Sequence, residues 1–153
     1  MVGIRRRTAF TLIEILIVVV IMAVLAALIV PQFSTVQNDA KVSAAQKNLF
    51  GMRSLVLVYM LEHGNTLPTA SVAQQFTQAS DVTGTIFSAS QTTQCPFGPY
   101  CQTIPVNPFT GSSAIAIYAG TTTPQASGSS SAGWIYGTAT GSFWIDNATY
   151  MGL

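Results

Sequence analysis

The sequence lacks basic residues over its last two thirds. All six lysines and arginines lie within the first 53 positions, and none follows Arg53. Glu62, Asp81 and Asp146 then give the later stretch a formal charge of −3, with His63 counted as neutral. A nucleic-acid-binding surface needs clustered lysine and arginine to neutralise phosphates. The composition therefore excludes nucleic acid as a partner of this part of the chain.

Side chains for catalysis or metal binding are also scarce. His63 is the only histidine, and the three acidic residues that follow Arg53 are scattered in the sequence. No catalytic triad, phosphate-binding loop or metal-ligand set is recognisable. Calcium requires six to eight oxygen ligands, for which Asp146 near the C-terminus is too little. The sequence therefore predicts no enzyme activity, no cofactor and no metal site.

Cysteine occurs only twice, at Cys95 and Cys101, with Pro-Phe-Gly-Pro-Tyr between them. The two prolines and the glycine favour a turn that could bring the two thiols together. If this part lies outside the cytoplasm, a disulfide bond is the natural interpretation. Two unpaired buried thiols are the alternative. A zinc site is disfavoured because it needs three or four ligands, and His63 is distant in sequence.

The sequence does contain one long apolar run, from Phe10 to Val30, broken only by Thr11 and Glu14. A helix of these 21 residues would be about 30 Å long, which is the thickness of a bilayer core. Arginines 5–7 precede the run, which favours a cytoplasmic N-terminus and an exported remainder. The run is too long for the apolar region of an ordinary secretory signal peptide.

Glu14 is the exception within this run. A carboxylate inside a membrane-spanning helix costs on the order of 3 kcal/mol, so a partner or a function is expected. No basic residue within the span can pair with Glu14. The nearest candidate is the α-amine that would form if the chain were cut before Phe10. The alternative is a Glu14 that lies near the membrane interface and is solvated by lipid headgroups.

Arg-Arg-Arg-Thr-Ala, followed by Phe10-Thr11-Leu12-Ile13-Glu14, resembles the leader and processing site of type IV pilins and pseudopilins. The resemblance implies that a prepilin peptidase cuts between Ala9 and Phe10 and that the new amine of Phe10 is N-methylated. It also implies that Glu14 pairs with such an amine on a neighbouring subunit, and that Pro31 kinks the helix. One position departs from the family pattern, since Ala9 stands where glycine is usual.

Beyond Pro31, apolar residues recur every three or four positions, which predicts a continued amphipathic helix. This stripe comprises Val42, Ala45, Leu49, Met52, Val56 and Tyr59. His63-Gly64-Asn65 supplies a helix end. Ser71 to Ala79 is a candidate second helix, and strands are expected at residues 114–118, 133–136 and 142–146. The last two strands should form a hairpin anchored by Trp134, Tyr136, Phe143 and Trp144.

These elements predict an α+β, pilin-like fold in which a long N-terminal helix packs on a small antiparallel sheet. The expected parts are a basic leader (1–9), a transmembrane helix (10–30), its amphipathic continuation (31–63) and a β-rich globular domain (64–153). The expected location is the bacterial inner membrane, crossed once. The N-terminus would be cytoplasmic, and the globular domain periplasmic or extracellular.

The expected function is that of a structural subunit of a type IV filament, either a pilin or a type II secretion pseudopilin. Its partners would be copies of itself, related subunits, membrane lipid, the prepilin peptidase and methyltransferase, and an inner-membrane assembly platform. The alternative is a membrane-tethered binding or adhesion module whose helix is a simple anchor. The processed N-terminus distinguishes the two, because only the filament subunit requires a methylated Phe10.

The cysteine pair yields a first testable prediction. If Cys95 and Cys101 are joined, the native protein should resist alkylation, and reductant should release two reactive thiols. Mass spectrometry of the alkylated chain, with and without reductant, measures this directly. Two alkylated cysteines without reductant would contradict the disulfide bond.

Overall fold

The computed structural model describes residues 10–87, 96–126 and 131–153, apart from the side chains of 30–34. The chain divides into two compact units, Met1–Ala40 and Lys41–Leu153. The elements in chain order are α1 (Leu12–Glu62), α2 (Val72–Thr77), β1 (Ile115–Tyr118), β2 (Trp134–Gly137) and β3 (Phe143–Ile145). Helix α1 begins in the first unit and continues into the second, so one element contributes to both.

In the first unit, α1 contains a segment that is long and apolar enough to cross a membrane. This segment is Leu12–Ile29, with a mean hydropathy of 3.2, and none of it is buried within the protein. Exposed apolar side chains along a whole helix are typical of a segment that is covered by lipid or by other helices.

Helix α1 ends where the sequence predicts. Gly64 and Asn65 both adopt positive φ angles, of 61° and 66°. The amide of Asn65 donates to the carbonyl of Met60 at 2.8 Å, as in a Schellman motif. Glycine and asparagine tolerate the left-handed conformation better than other residues, which explains why the helix stops here.

In the second unit, the inner face of α1 is buried against the sheet and α2. This inner face comprises Ala45, Leu49, Met52, Val56 and Tyr59. Its partners in the core are Val72 and Phe76 of α2 and Trp134, Tyr136, Phe143 and Ile145 of the sheet. Burial of one such side chain contributes about 1.5–3 kcal/mol. The predicted amphipathic helix and three of the four predicted aromatic anchors are confirmed, whereas Trp144 is only half-buried.

Helix α2 is short, and its C-terminal end is fixed by the chain that follows. The amides of Tyr100 and Cys101 both donate to the carbonyl of Phe76, at 2.8 and 3.0 Å. In addition, Ser80 forms isolated bridges with Ile86 and Phe97. These bonds hold the segment after α2 against the core.

The sheet has the order β1-β2-β3 and is mixed. Strands β2 and β3 pair antiparallel around residues 137–141, as predicted. Strands β1 and β2 pair parallel, with Ile115 opposite Trp134, so the expectation of a purely antiparallel sheet is wrong. The reason is the connection from 119 to 133, because a link of a dozen or more residues is long enough to return the chain to the same end of the sheet. The α+β fold itself, with a long N-terminal helix and a small sheet, is confirmed.

Gly84 lies in a position that no other residue fits. Its φ angle is 79°, and a Cβ atom there would lie 2.3 Å from the hydroxyl oxygen of Tyr59. The Tyr59 hydroxyl accepts a bond from Nε2 of Gln75 at 3.0 Å, and the same nitrogen donates to the carbonyl of Gly84. The close approach of this backbone therefore connects the turn to the inner face of α1.

We expect Gly84→Ala to destabilise the protein by about 2–4 kcal/mol, because it combines positive-φ strain with displacement of Tyr59. The matched control is Gly64→Ala, which has a similar φ of 61° but no atom within 4 Å of the new Cβ. This control should lose only about 1–2 kcal/mol. Chemical denaturation of both variants measures the difference, and equal losses would contradict the packing argument.

Candidate functional site

The start of α1 is a capping box formed by Thr11 and Glu14. The backbone amide and the hydroxyl of Thr11 donate to Oε2 of Glu14, at 2.9 and 2.8 Å. In return, the amide of Glu14 donates to Oγ1 of Thr11 at 3.3 Å. A helix begins with unpaired amides, and this reciprocal pair satisfies two of them.

Glu14 therefore has a partner within its own chain. All the bonds that the structure shows for the carboxylate use Oε2, which leaves Oε1 available for a donor from another molecule. The donors on Thr11 are neutral, so they do not cancel the negative charge of an ionised Glu14. Phe10, directly before this box, is also exposed. A carboxylate that is held in position but not neutralised can still bind a cation.

A second candidate surface lies on α1 in the second unit. Phe50, Leu57 and Leu61 are 74%, 62% and 85% exposed. Their spacing of seven and four residues places them on one helical face, away from the inner face that packs on the sheet. We call these three residues the outer strip. Large apolar side chains that are exposed along one face of a helix are typical of a protein–protein contact.

The polar groups near the end of α1 are used within the fold. His63 is buried and stacks on Tyr59, with ring centroids 3.8 Å apart. Its Nδ1 lies 2.9 Å from the carbonyl of Tyr59, which can only accept, so Nδ1 donates, and its Nε2 lies within hydrogen-bond distance of the Ser80 hydroxyl, at 3.0 Å. Tyr100 donates to Glu62, and burial together with this bond raises the pKa of Tyr100. Among the described residues, no group of three histidine, cysteine or acidic side chains is placed to hold a metal ion.

The other predicted site residues are not brought together by the described structure. Ala9, on the predicted cleavage bond, and Cys95, of the predicted disulfide, lie outside the described residues. Position 31 lies inside α1, which runs through it as an α-helix. Cys101 is half-buried, with Sγ 3.7 Å from the carbonyl of Phe76, and burial raises the pKa of its thiol. Cleavage, methylation, the kink and the disulfide stay predictions.

Two features of these surfaces were missed in the sequence. The capping box has a plain signal, a threonine followed three residues later by glutamate at the start of an apolar run. The outer strip also has one, because Phe50, Leu57 and Leu61 are apolar residues that do not fit the inner stripe. The first signal was present in the residues at the start of α1, and the second in the spacing of its apolar residues.

Comparison with known proteins relates the chain to a bacterial secretion component. The family model described as "Prokaryotic N-terminal methylation motif" matches residues 4–30. Type II secretion system core protein G of Pseudomonas aeruginosa is 41% identical over 59 residues, which are 39% of this chain and 42% of that protein. The matched region thus spans less than half of either protein. No solved structure matches the chain. Residues 4–30, which include Phe10 and the Thr11–Glu14 capping box, thus match the prokaryotic N-terminal methylation motif, and part of the chain is similar to a type II secretion core protein.

Proposed function

We propose that the protein is a structural subunit of a type IV filament, of the kind found in type II secretion systems or type IV pili. It is anchored by Leu12–Ile29 and joins the filament after its leader is removed before Phe10. The observation that carries the proposal is the carboxylate of Glu14, held at the start of an apolar helix with one oxygen open. The role of such a subunit is structural rather than catalytic.

The Glu14 carboxylate would fix how far neighbouring subunits are displaced along their helices. Cleavage before Phe10 would create an α-amine, which after methylation is still a cation. Between neighbouring subunits, this amine and Glu14 would meet in surroundings of low dielectric constant, where opposite charges attract more strongly than in water. Each group alone carries a desolvation cost, so only the stacking that pairs them satisfies both.

The outer strip supports the same function from the second unit. Phe50, Leu57 and Leu61 lie on a helix whose opposite face is already occupied by the sheet. A subunit that packs its helix against other helices would bury this strip, because removal of apolar surface from water is favourable. A simple membrane anchor that carries a binding domain has no need of such a strip.

The proposed location follows from the same elements. The apolar helix would span the inner membrane with its basic leader in the cytoplasm, and the second unit would lie on the periplasmic or extracellular side. The required partners are a prepilin peptidase, which cuts and methylates, an assembly platform in the membrane, and further copies of the chain or of related subunits.

The function is tested by separating the charge of Glu14 from its capping role. Glu14→Gln keeps an oxygen that can accept from Thr11 but has no charge. Thr11→Val keeps the charge but lacks the hydroxyl of the capping box. If pairing with a cationic amine drives assembly, Glu14→Gln should lose at least about tenfold in filament incorporation, the equivalent of about 1.4 kcal/mol. Thr11→Val should lose much less, since a helix cap contributes about 1 kcal/mol to the helix itself.

Incorporation is measured as the share of the chain in sheared or purified filaments relative to the membrane fraction. Mass spectrometry of the mature N-terminus is the control, since every variant must begin with methylated Phe10 before its incorporation is compared. Normal incorporation of Glu14→Gln would refute the pairing. An unprocessed N-terminus in the unmodified protein would instead favour a tethered binding module.

The outer strip yields a separate prediction. Phe50→Ser and Leu61→Ser replace exposed side chains, so we expect stability to change by less than about 0.5 kcal/mol while filament incorporation falls. Val106→Ser is the matched control, because Val106 is 53% exposed but lies in a loop and is not part of the outer strip. A strip variant that assembles as well as this control would exclude the strip from the filament contact.

A further inference from the structure

A groove in the second unit has no assigned role. It lies between the last turns of α1 and the β2–β3 hairpin and has a volume of about 580 Å³. Val56, Met60 and Leu67 supply its apolar wall, together with Leu57, which the groove shares with the outer strip, and Gly141 lies on the hairpin side. A Cβ atom on Gly141 would come within 2.4 Å of the Leu67 side chain, so glycine keeps this space open. The volume suffices for one or two aliphatic side chains.

Arg53 is the only charged residue that lines the groove. One of its terminal nitrogens donates to the carbonyl of Phe143 at 2.9 Å and to the backbone oxygen of Leu153 at 3.1 Å. These two bonds fix the guanidinium against β3, while its other N–H groups have no partner among the described residues. The groove is therefore an apolar surface with one positioned cation, which fits an apolar side chain next to a carboxylate.

The same unit carries a surface with the complementary composition. Residues 81–85 form a tight turn in which Oδ1 of Asp81 accepts from the amide and hydroxyl of Thr83 and from the amide of Thr85, at 2.7–3.0 Å. The hydroxyl bond from Thr83 lowers the pKa of Asp81 from its ordinary value, so this carboxylate is ionised at neutral pH. Val82, next to it, is 58% exposed. We call residues 81–85 the acidic turn.

We propose that the groove at Arg53 receives the acidic turn of a second copy of this chain, with Val82 in the apolar space and Asp81 against the guanidinium. This inference rests on the proposed filament function and names a contact between neighbouring subunits. Both halves are held rigid by internal hydrogen bonds, so little conformational entropy is lost when they meet. A groove that faced another groove, or a turn that faced another turn, would instead bring like charges together.

The proposed contact joins two different surfaces of the chain, so it does not close at two copies. The groove and the acidic turn share no residue, so every subunit can offer its groove to one neighbour and its turn to another. A contact of this heterologous kind continues from copy to copy, into a filament unless the rotation between copies closes a ring, whereas a self-complementary patch closes at two copies. The proposal therefore predicts chains of linked subunits rather than dimers.

The experiment links the two surfaces covalently in the full-length protein, isolated as filaments. The double variant Val82→Cys and Thr140→Cys places one thiol on the turn and one on the groove, which Thr140 lines. Mild oxidation should give a ladder of cross-linked multimers. A mixture of the two single variants should give dimers alone, because each copy then carries one half of the contact.

Val106→Cys with Thr140→Cys is the matched control, since Val106 and Val82 are similarly exposed. This pair should give no ladder, and the unmodified chain run beside it reports any product of Cys95 and Cys101. Asp81→Asn, which can keep the bonds of the turn, should lower the ladder yield of the double variant about twofold to fivefold, as for other exposed ion pairs.

The outcomes separate this inference from the proposed function. Filaments that assemble without a ladder, or that give dimers only, would overturn the contact and leave the filament function standing. A ladder of equal yield from the Val106 pair would also overturn the contact. If the unmodified chain forms no filament, the proposed function fails, and the contact fails with it.

Discussion

The carboxylate of Glu14 inside an apolar helix is the constraint on which the proposed assembly depends. An ionised group in hydrocarbon is costly, and the capping box with Thr11 reduces that cost without removing the charge. In the proposed filament, a subunit in the membrane would bear a smaller cost for this carboxylate and would still gain from a cation. Thr11 and Glu14 together would thus serve both insertion and assembly.

In the second unit, the two faces of α1 have different surroundings. The inner face supplies most of the helical contribution to the core, while the outer strip stays in solvent. Because the strip is not needed for folding, its residues are free to serve a contact between molecules. Buried Gln75 donates both to the Tyr59 hydroxyl and to the carbonyl of Gly84, so the end of α1 is fixed in one position relative to the turn at Gly84.

The sequence predicted what depends on local spacing. Helix α1, its end at Gly64 and the hairpin around residues 137–141 follow from periodicity and turn residues that act over a few positions. The parallel pairing of β1 with β2 could not be predicted in this way, because a long connection leaves both strand directions open. The groove at Arg53 could not be predicted from the sequence either, because its lining residues come from a helix, a loop and a hairpin that are distant in sequence.

The positions of Arg53 and Asp81 relate the charge distribution of the sequence to the groove and the acidic turn. The sequence has no cation after Arg53, and Arg53 lies in the groove, whereas Asp81 lies on an exposed turn of the same unit. Arg53 and Asp81 thus lie on different surfaces, which favours contact between unlike surfaces of neighbouring copies. Glu14 would set the register of the helices in the membrane. A second pair of opposite charges outside it would fix the rotation of each subunit about its own helix, which an axial contact alone leaves free.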